Sequence, residues 1–304
     1  FISHKLEEIF QLADVITVFR NGKKVAYSEI KDVDTGWVIK QMTGRELDQN
    51  ERFYSTKVSD EVLLEVDGLT GEKFTNVSFK LKKGEILGFS GLVGAGRSEV
   101  MQAIFGYLPV YKGSVKLDGE DWKLGDTNYS VKHGFIYLPE ERKKQGILPV
   151  LSIRDNISVS VLDELKSGIS ISRKKENELA KNVIETYDVK TPGADKEIQF
   201  LSGGNQQKVI LARELDDHPE MVIANQPTRG LDIGASEYVR QKILDARNDG
   251  AAVLLVSADL EEILQLSDRI AVIYDGKIMG ILPAGTDTNT IGMLMMGHKQ
   301  EEKA

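Results

Sequence analysis

The amino-acid sequence predicts an α/β fold in which a mostly parallel sheet carries a helical insertion. An apolar run, EILGFS at 85–90, leads through a glycine-rich turn into residues 98–106, where apolar residues recur at helical spacing. Two further apolar runs, at 221–224 and 252–256, have the length and composition of buried strands. The charged, helix-like segment at 152–200 is predicted to form the insertion.

Composition excludes several classes of protein. The 304 residues are 41% apolar, which is enough for a sizeable core. The net charge is −8, with 47 acidic and 39 basic residues, so no nucleic-acid partner is expected. The chain has no cysteine, which excludes disulfides and thiolate metal sites. No apolar run approaches the roughly 20 residues that span a bilayer.

The chain contains an internal repeat. Residues 2–25 align without gaps to residues 256–279, and twelve of the 24 aligned positions are identical. A repeat this far apart is not a solenoid period and indicates two homologous domains in tandem. In the second copy, IAVIYDGKIMG at 270–280 predicts a β-hairpin that turns at Asp275 and Gly276.

The repeat predicts the domain organisation. Residues 1–44 are expected to be the C-terminal remnant of a first domain, and residues 62–304 a second domain. Residues 45–61 between them are polar and charged, which is typical of a linker. The helical subdomain is expected at about 152–205. The chain begins with Phe1 in sequence that resembles mid-domain sequence, so we expect a piece of a longer polypeptide.

A glycine-rich motif, GLVGAGRS at 91–98, lies between the first predicted strand and its helix. Glycines permit a tight backbone, and the N–H groups at a helix start attract phosphate. The motif fits a phosphate-binding loop with arginine in the lysine position, and its serine hydroxyl can bind Mg²⁺. An ordinary glycine-rich turn is the alternative. The candidate nucleotide-binding residues are Gly91, Gly94, Ala95, Gly96, Arg97, Ser98 and Glu99.

Two further motifs follow: LSGGNQQK at 201–208 and NQPTRGLD at 225–232. In this order and spacing, the three motifs resemble the nucleotide-binding domain of an ATP-binding cassette (ABC) transporter. The resemblance covers nearly the whole chain and is to the ATP-binding subunit of a bacterial sugar or nucleoside importer. The NQPTRGLD motif, which lacks Asp-Glu, is more similar to the nucleoside branch. It implies an ABC-type P-loop NTPase core with a mostly parallel sheet, a helical subdomain and a small antiparallel β subdomain.

The resemblance also implies ATP and Mg²⁺ as cofactors and a head-to-tail pair with the first domain of the same polypeptide. In such a pair the signature of one domain reaches the nucleotide of the other; the candidates are Ser202, Gly203, Gly204 and Asn205. Asp232 would line the seam of the pair or cap the next helix. The resemblance further implies two transmembrane permease subunits as partners and, indirectly, an extracytoplasmic binding protein. It also implies a peripheral position on the cytoplasmic face of the cell membrane.

The candidate catalytic positions depart from the family pattern. Asn225 and Gln226 stand where the family has Asp and Glu, so neutral amides replace a metal ligand and a general base. An engineered double substitution is the alternative to inherited degeneracy here. The repeat aligns Ala258 with His4, and the family's histidine at this position contacts the γ-phosphate. Glu140 replaces a glutamine and joins Asn225 and the phosphate-loop serine as a candidate Mg²⁺ ligand.

We therefore expect a chain that binds ATP, supplies its signature to a partner site and hydrolyses ATP weakly or not at all in its own site. A soluble ABC protein outside transport is one alternative, which co-purification with a permease would distinguish. A structural relative without nucleotide is another, which nucleotide titration would distinguish. Phe74 is the nearest candidate to stack on adenine, with a place in the core as the alternative interpretation.

Overall fold

The computed structural model describes residues 1–2, 6–20, 23–43, 53, 58–215 and 219–298. Its helices are α1 (Leu6–Leu12), α2 (Thr35–Thr43), α3 (Arg97–Ile104), α4 (Thr127–Lys132), α5 (Ile153–Ser158), α6 (Arg173–Thr186), α7 (Gly203–Leu215), α8 (Ile233–Asn248), α9 (Leu260–Leu266) and α10 (Thr288–Met295). Its strands are β1 (Val15–Arg20), β2 (Lys23–Glu29), β3 (Val62–Gly71), β4 (Phe74–Lys82), β5 (Ile86–Ser90), β6 (Lys112–Leu117), β7 (Glu120–Asp121), β8 (Phe135–Leu138), β9 (Lys166–Ser167), β10 (Ser170–Ile171), β11 (Met221–Asn225), β12 (Ala252–Val256), β13 (Arg269–Tyr274) and β14 (Lys277–Pro283).

A six-stranded sheet in the order β14-β13-β5-β12-β11-β8 forms the centre of the fold. Strands β13, β5, β12, β11 and β8 are parallel, and β14 is antiparallel to β13. Every residue of β5, β11 and β12 is buried. Parallel strands covered on both faces are continuously apolar, which is why the sequence predicts these three correctly.

The predicted hairpin at 270–280 is confirmed. Strands β13 and β14 pair in antiparallel register, and Tyr274 pairs with Lys277 across the turn. The two turn residues, Asp275 and Gly276, have φ values of 47° and 71°. These left-handed conformations are those that a two-residue hairpin turn requires, and Asp-Gly adopts them readily.

A four-stranded antiparallel sheet in the order β4-β3-β6-β7 packs on the central sheet. The contact includes Phe79 of β4 and Phe89 of β5, whose rings meet edge to face with centroids 5.1 Å apart. Both side chains are buried in one apolar cluster. The antiparallel β layer that the family resemblance implies is therefore present, and it supports the strand that leads into the phosphate loop.

Helices α5, α6 and α7 pack together in the region of the predicted insertion. A capping box in which Ser152 and Asp155 bond reciprocally fixes the start of α5. Glu176 of α6 is buried and accepts a hydrogen bond from Ser158 of α5 at 2.9 Å. The short β9–β10 hairpin lies between α5 and α6. This packing supports the start of α7, where the signature motif lies.

The segment before residue 44 repeats the element order of the last part of the chain, a helix, a β-hairpin and a helix. The register of the first hairpin shifts between Val18 and Phe19, and that of the last hairpin between Val272 and Ile273. The sequence repeat aligns these two pairs of residues. A β-bulge at the same aligned position is a backbone feature that chance similarity does not predict.

Most of the predicted linker at 45–61 lies outside the described residues, and so does His4. Within the described part, Phe53 is held by its backbone: its N–H donates to Gln265 at 2.9 Å and its carbonyl accepts from Arg247 at 2.6 Å. Across the described ranges, every helix is too short or too polar to traverse a lipid bilayer.

Candidate functional site

The glycine-rich loop lies between the end of β5 and the start of α3, as the sequence predicts. A Cβ on Gly91 would lie 2.5 Å from the carbonyl oxygen of Ile273, and a Cβ on Gly96 equally close to that of Lys73. Gly96 also has φ 95°. Gly94 has φ 82° but faces open space. Two of the glycines are therefore required by close backbone packing, and the loop is held firmly against the sheet.

Arg97, in the lysine position of the motif, is buried and directed at the loop after β12. Its Nη1 donates to the backbone carbonyl of Ser257 at 2.6 Å. Burial lowers the pKa of Arg97, while the carboxylates of Glu140 and Glu99 act in the opposite direction. The guanidinium therefore ties the start of α3 to the Ser257 loop as well as placing a positive charge beside the phosphate loop.

Three side-chain oxygens converge at the end of the phosphate loop. Ser98 Oγ donates to Asn225 Oδ1 at 3.1 Å and lies 3.4 Å from Glu140 Oε2. Hydroxyl, amide and carboxylate oxygens are hard ligands of the kind that Mg²⁺ prefers, and only one of the three carries a charge. The set fits a metal ion that is held partly by nucleotide phosphates, so the structure brings the three predicted ligands together.

Tyr137 fixes the orientation of the Asn225 amide. Asn225 Nδ2 donates to the Tyr137 hydroxyl at 2.9 Å, which leaves Oδ1 directed at Ser98. Burial raises the pKa of Tyr137 to about 12. The phenol is therefore neutral at physiological pH and acts as a hydrogen-bonding partner. Sequence reasoning missed Tyr137, because its contact depends on β8 lying next to β11.

Glu140 also forms an ion pair with Arg229. One carboxylate oxygen of Glu140 faces Ser98 and the other faces Arg229, which lies in the NQPTRGLD motif. The pair therefore joins the candidate metal site to the loop after β11. The sequence motif contains Arg229, but nothing in its spacing indicates the partner.

Gln226 and Ala258, two of the candidate catalytic positions, are in contact. Gln226 Oε1 accepts a hydrogen bond from the backbone N–H of Ala258 at 3.0 Å, and Gln226 N–H donates to Val256 at 2.8 Å. Gln226 has φ 53°, a left-handed conformation that few non-glycine residues adopt. The amide is thus engaged with the backbone, and a glutamine has no basic group to accept a proton.

The signature residues form the start of α7. Asn205 Nδ2 donates to Ser202 Oγ at 2.9 Å, and Asn205 Oδ1 accepts from the backbone of Lys190 at 2.8 Å. A Cβ on Gly203 or Gly204 would lie within 3 Å of a neighbouring side chain. The four candidate residues are therefore grouped in one tight turn, and Asn205 holds that turn against the segment after α6.

The structure shows the surroundings of Asp232 and Phe74. Asp232 caps α8, because its Oδ1 accepts from the N–H of Ala235 at 2.9 Å. Phe74 is 2% exposed and belongs to the core beneath the antiparallel sheet. A ring buried to this extent offers no face to an adenine, so the structure supports the interpretation of Phe74 as a core residue.

The comparisons with known proteins agree with this geometry. A family model described as ABC transporter matches residues 74–229, about half of the chain. The solved structure of a nucleotide-free ATP-binding cassette from an ABC transporter has a TM-score of 0.64 at 20% identity and covers 76% of this chain and 94% of its own. A dimeric cassette bound to ADP and Pi has a TM-score of 0.60 at 22% identity, covering 74% and 100%. At these identities the likeness shows the fold.

Curated relatives are more similar in sequence. The ribose import ATP-binding protein RbsA of a Bacillus cereus strain is 36% identical over 282 residues, which are 93% of this chain and 57% of the relative. RbsA of a Lacticaseibacillus paracasei strain is 39% identical over 307 residues, with 100% and 61% coverage. The chain thus spans about three fifths of these relatives. From the phosphate loop, the signature turn and the family match, the chain belongs to the ABC transporter family.

Proposed function

We propose that this chain is the nucleotide-binding part of an importer motor and that it binds ATP with Mg²⁺ in its own site. The observation that carries the proposal is the convergence of Ser98, Asn225 and Glu140 at the end of the phosphate loop. Nucleotide phosphates at the loop would complete the shell of a metal that the three oxygens alone hold weakly. The same site supports binding better than it supports hydrolysis.

Slow or absent hydrolysis follows from the groups at Gln226 and Ala258. Gln226 cannot accept a proton, and its oxygen already accepts from the Ala258 backbone. General-base help is typically worth about 10²–10⁴ in rate, so its loss alone leaves a slow enzyme. Ala258 offers no side-chain donor where the repeat has His4. These losses affect one catalytic unit and are not additive.

The tandem organisation is part of the proposal. Residues 1–44 would complete a first nucleotide-binding domain, residues 45–61 would link it to the second domain at 62–304, and the helical subdomain of the second would extend over about 152–205. The matching β-bulges of the two hairpins support this duplication. The first domain would then pair head to tail with the second and receive the signature turn at Ser202.

The names of the relatives indicate the cargo. Both are ribose import proteins, which favours a simple sugar over a nucleoside. The partners would be two transmembrane permease subunits and, indirectly, an extracytoplasmic binding protein. The chain would then act at the cytoplasmic face of the membrane as a peripheral subunit. Co-purification of the full-length polypeptide with its permease tests this part of the proposal.

Nucleotide binding and turnover, measured side by side, test the central claim. Calorimetry with Mg-ATP is expected to give micromolar binding, and a phosphate-release assay is expected to give negligible turnover. Ser98→Ala removes one of the three convergent oxygens and should weaken the Mg²⁺-dependent part of binding. Rapid phosphate release by the wild-type chain would refute the non-hydrolytic site, and absence of binding would indicate a structural relative without nucleotide.

A further inference from the structure

Glu262 is a buried carboxylate that none of the preceding functions uses. It lies on α9 and its side chain is 0% exposed. Oε2 accepts from Thr228 Oγ1 at 3.1 Å, and Oε1 accepts from Arg240 Nε at 3.3 Å. The Ser257 hydroxyl acts to lower the pKa of Glu262, against the effect of burial. The Glu262 side chain, on the helix that follows β12, therefore contacts the loop after β11 and helix α8.

We propose that Glu262 is a positioning residue that holds the Thr228 loop and the Ser257 loop at a fixed spacing and thereby sets the place of Arg97 at the phosphate loop. The inference rests on the nucleotide site proposed above. Ser257 connects the two ends of this arrangement. Its carbonyl accepts from Arg97, and its hydroxyl accepts from the backbone N–H of Asp259, the residue that caps the helix carrying Glu262.

The same two loops carry the catalytic departures. Gln226 lies two residues before Thr228, and Ala258 directly follows Ser257. The Gln226–Ala258 hydrogen bond at 3.0 Å joins the same two loops. Loss of the Glu262 carboxylate is therefore expected to loosen this contact.

Glu262 pairs with Arg240, which has further acidic neighbours. Arg240 also bonds to Glu237 at 2.9 Å and lies 3.3 Å from Asp259, so it has carboxylate partners besides Glu262. Burial raises the pKa of Glu262, and Arg240 opposes that shift. Well-packed apolar residues can often replace a buried ion pair without loss of stability. The directional contacts of both carboxylate oxygens are what an apolar residue would not reproduce.

Glu262→Gln keeps the shape and removes the charge, and Glu261→Gln is the matched control on the exposed neighbour. We expect Glu262→Gln to weaken Mg-ATP binding about tenfold, with Glu261→Gln within twofold. Amide exchange in the nucleotide-free chain should accelerate at Ala258 and Gln226 and not across the central sheet. A lower Tm with unchanged affinity and unchanged exchange at these two amides would show a merely structural role and overturn the inference.

Thr228→Val provides a second route if Glu262→Gln does not fold. It removes only the hydroxyl that donates to Glu262, so a several-fold loss of affinity is expected. Where Glu262→Gln folds, the affinity of the double variant should fall no further than that of Glu262→Gln alone. Full additivity would overturn the inference. If the wild-type chain binds no nucleotide, the proposed function fails, and exchange at the Ala258 amide still decides whether Glu262 positions the two loops.

Discussion

Gln226 Oε1 accepts a hydrogen bond from the backbone N–H of Ala258, so two of the positions at which the sequence predicts a departure from the family pattern contact each other. The contact joins the ends of two adjacent parallel strands, β11 and β12. Gln226 also donates its own N–H to Val256. Gln226 thus joins the loops that follow β11 and β12 through one side-chain and one backbone hydrogen bond.

Asn225→Asp should make the stability of the chain depend on Mg²⁺. Asn225 is 1% exposed, and a carboxylate there would share Ser98 with Glu140. Like charges in one site destabilise each other. We expect the free energy of unfolding without metal to fall by about 1–3 kcal/mol. Thermal unfolding in EDTA and with Mg-ATP checks this, and Asn225→Ala is the control that should gain less stability from Mg-ATP than Asn225→Asp.

Arg97→Lys should separate the structural role of Arg97 from its role in phosphate binding. The shorter cation cannot reproduce the planar guanidinium contact to Ser257, so the free energy of unfolding should fall by about 1.5–3 kcal/mol. Mg-ATP affinity should fall by no more than the roughly tenfold loss expected for Glu262→Gln, since the positive charge remains although its contact to Ser257 is lost. Chemical denaturation and calorimetry measure the two effects. Arg229→Lys at an exposed position is the control, and an equal loss of stability there would contradict the prediction.

Gly96→Ala and Gly94→Ala should differ although both glycines have positive φ. Gly94 faces open space, so alanine there is expected to cost about 1 kcal/mol of backbone strain. A Cβ on Gly96 meets the Lys73 carbonyl at 2.5 Å and forces the backbone to move. Soluble yield and Tm measure the difference. Equal Tm values for the two variants would mean that the loop adjusts freely.

Tyr137 should make the chain sensitive to strong base. Its folded pKa of about 12 lies above the ordinary tyrosine value of about 10. A raised pKa in the folded state favours the neutral phenol, so this stabilisation is present below pH 10 and is lost as the pH rises through 12. The difference between the spectrophotometric titration curves of the wild type and Tyr137→Phe should show one phenol that ionises near pH 12. Ionisation near pH 10 would contradict the burial argument.

Tyr137→Phe also tests whether Tyr137 orients the side-chain amide of Asn225. Without the hydroxyl, Asn225 Nδ2 is left buried without its partner, which typically costs about 1–3 kcal/mol at neutral pH. The Asn225 amide would be free to turn and present Nδ2 to Ser98 in place of its oxygen. Mg²⁺-dependent binding of ATP should therefore weaken in Tyr137→Phe more than binding measured without metal.

The central strands, the hairpin turn and the phosphate loop could be predicted because each has a local signal in the sequence. Asp275 and Gly276 specify their turn without help from the rest of the chain. The partners of Glu140, Asn225 and Glu262 have no such signal. Their contacts join residues that are distant in the sequence and depend on which strands are neighbours. The burial of Phe74 likewise depends on how two sheets pack, which periodicity does not reveal.

The ion pair between Glu140 and Arg229 gives the Glu140 carboxylate a counter-ion from within the chain. A divalent cation at Glu140 would therefore have to displace a tethered monovalent one, and the released guanidinium would stay on the loop after β11. Metal binding would then exchange one partner of Glu140 for another and would leave the positive charge of Arg229 unpaired beside the site.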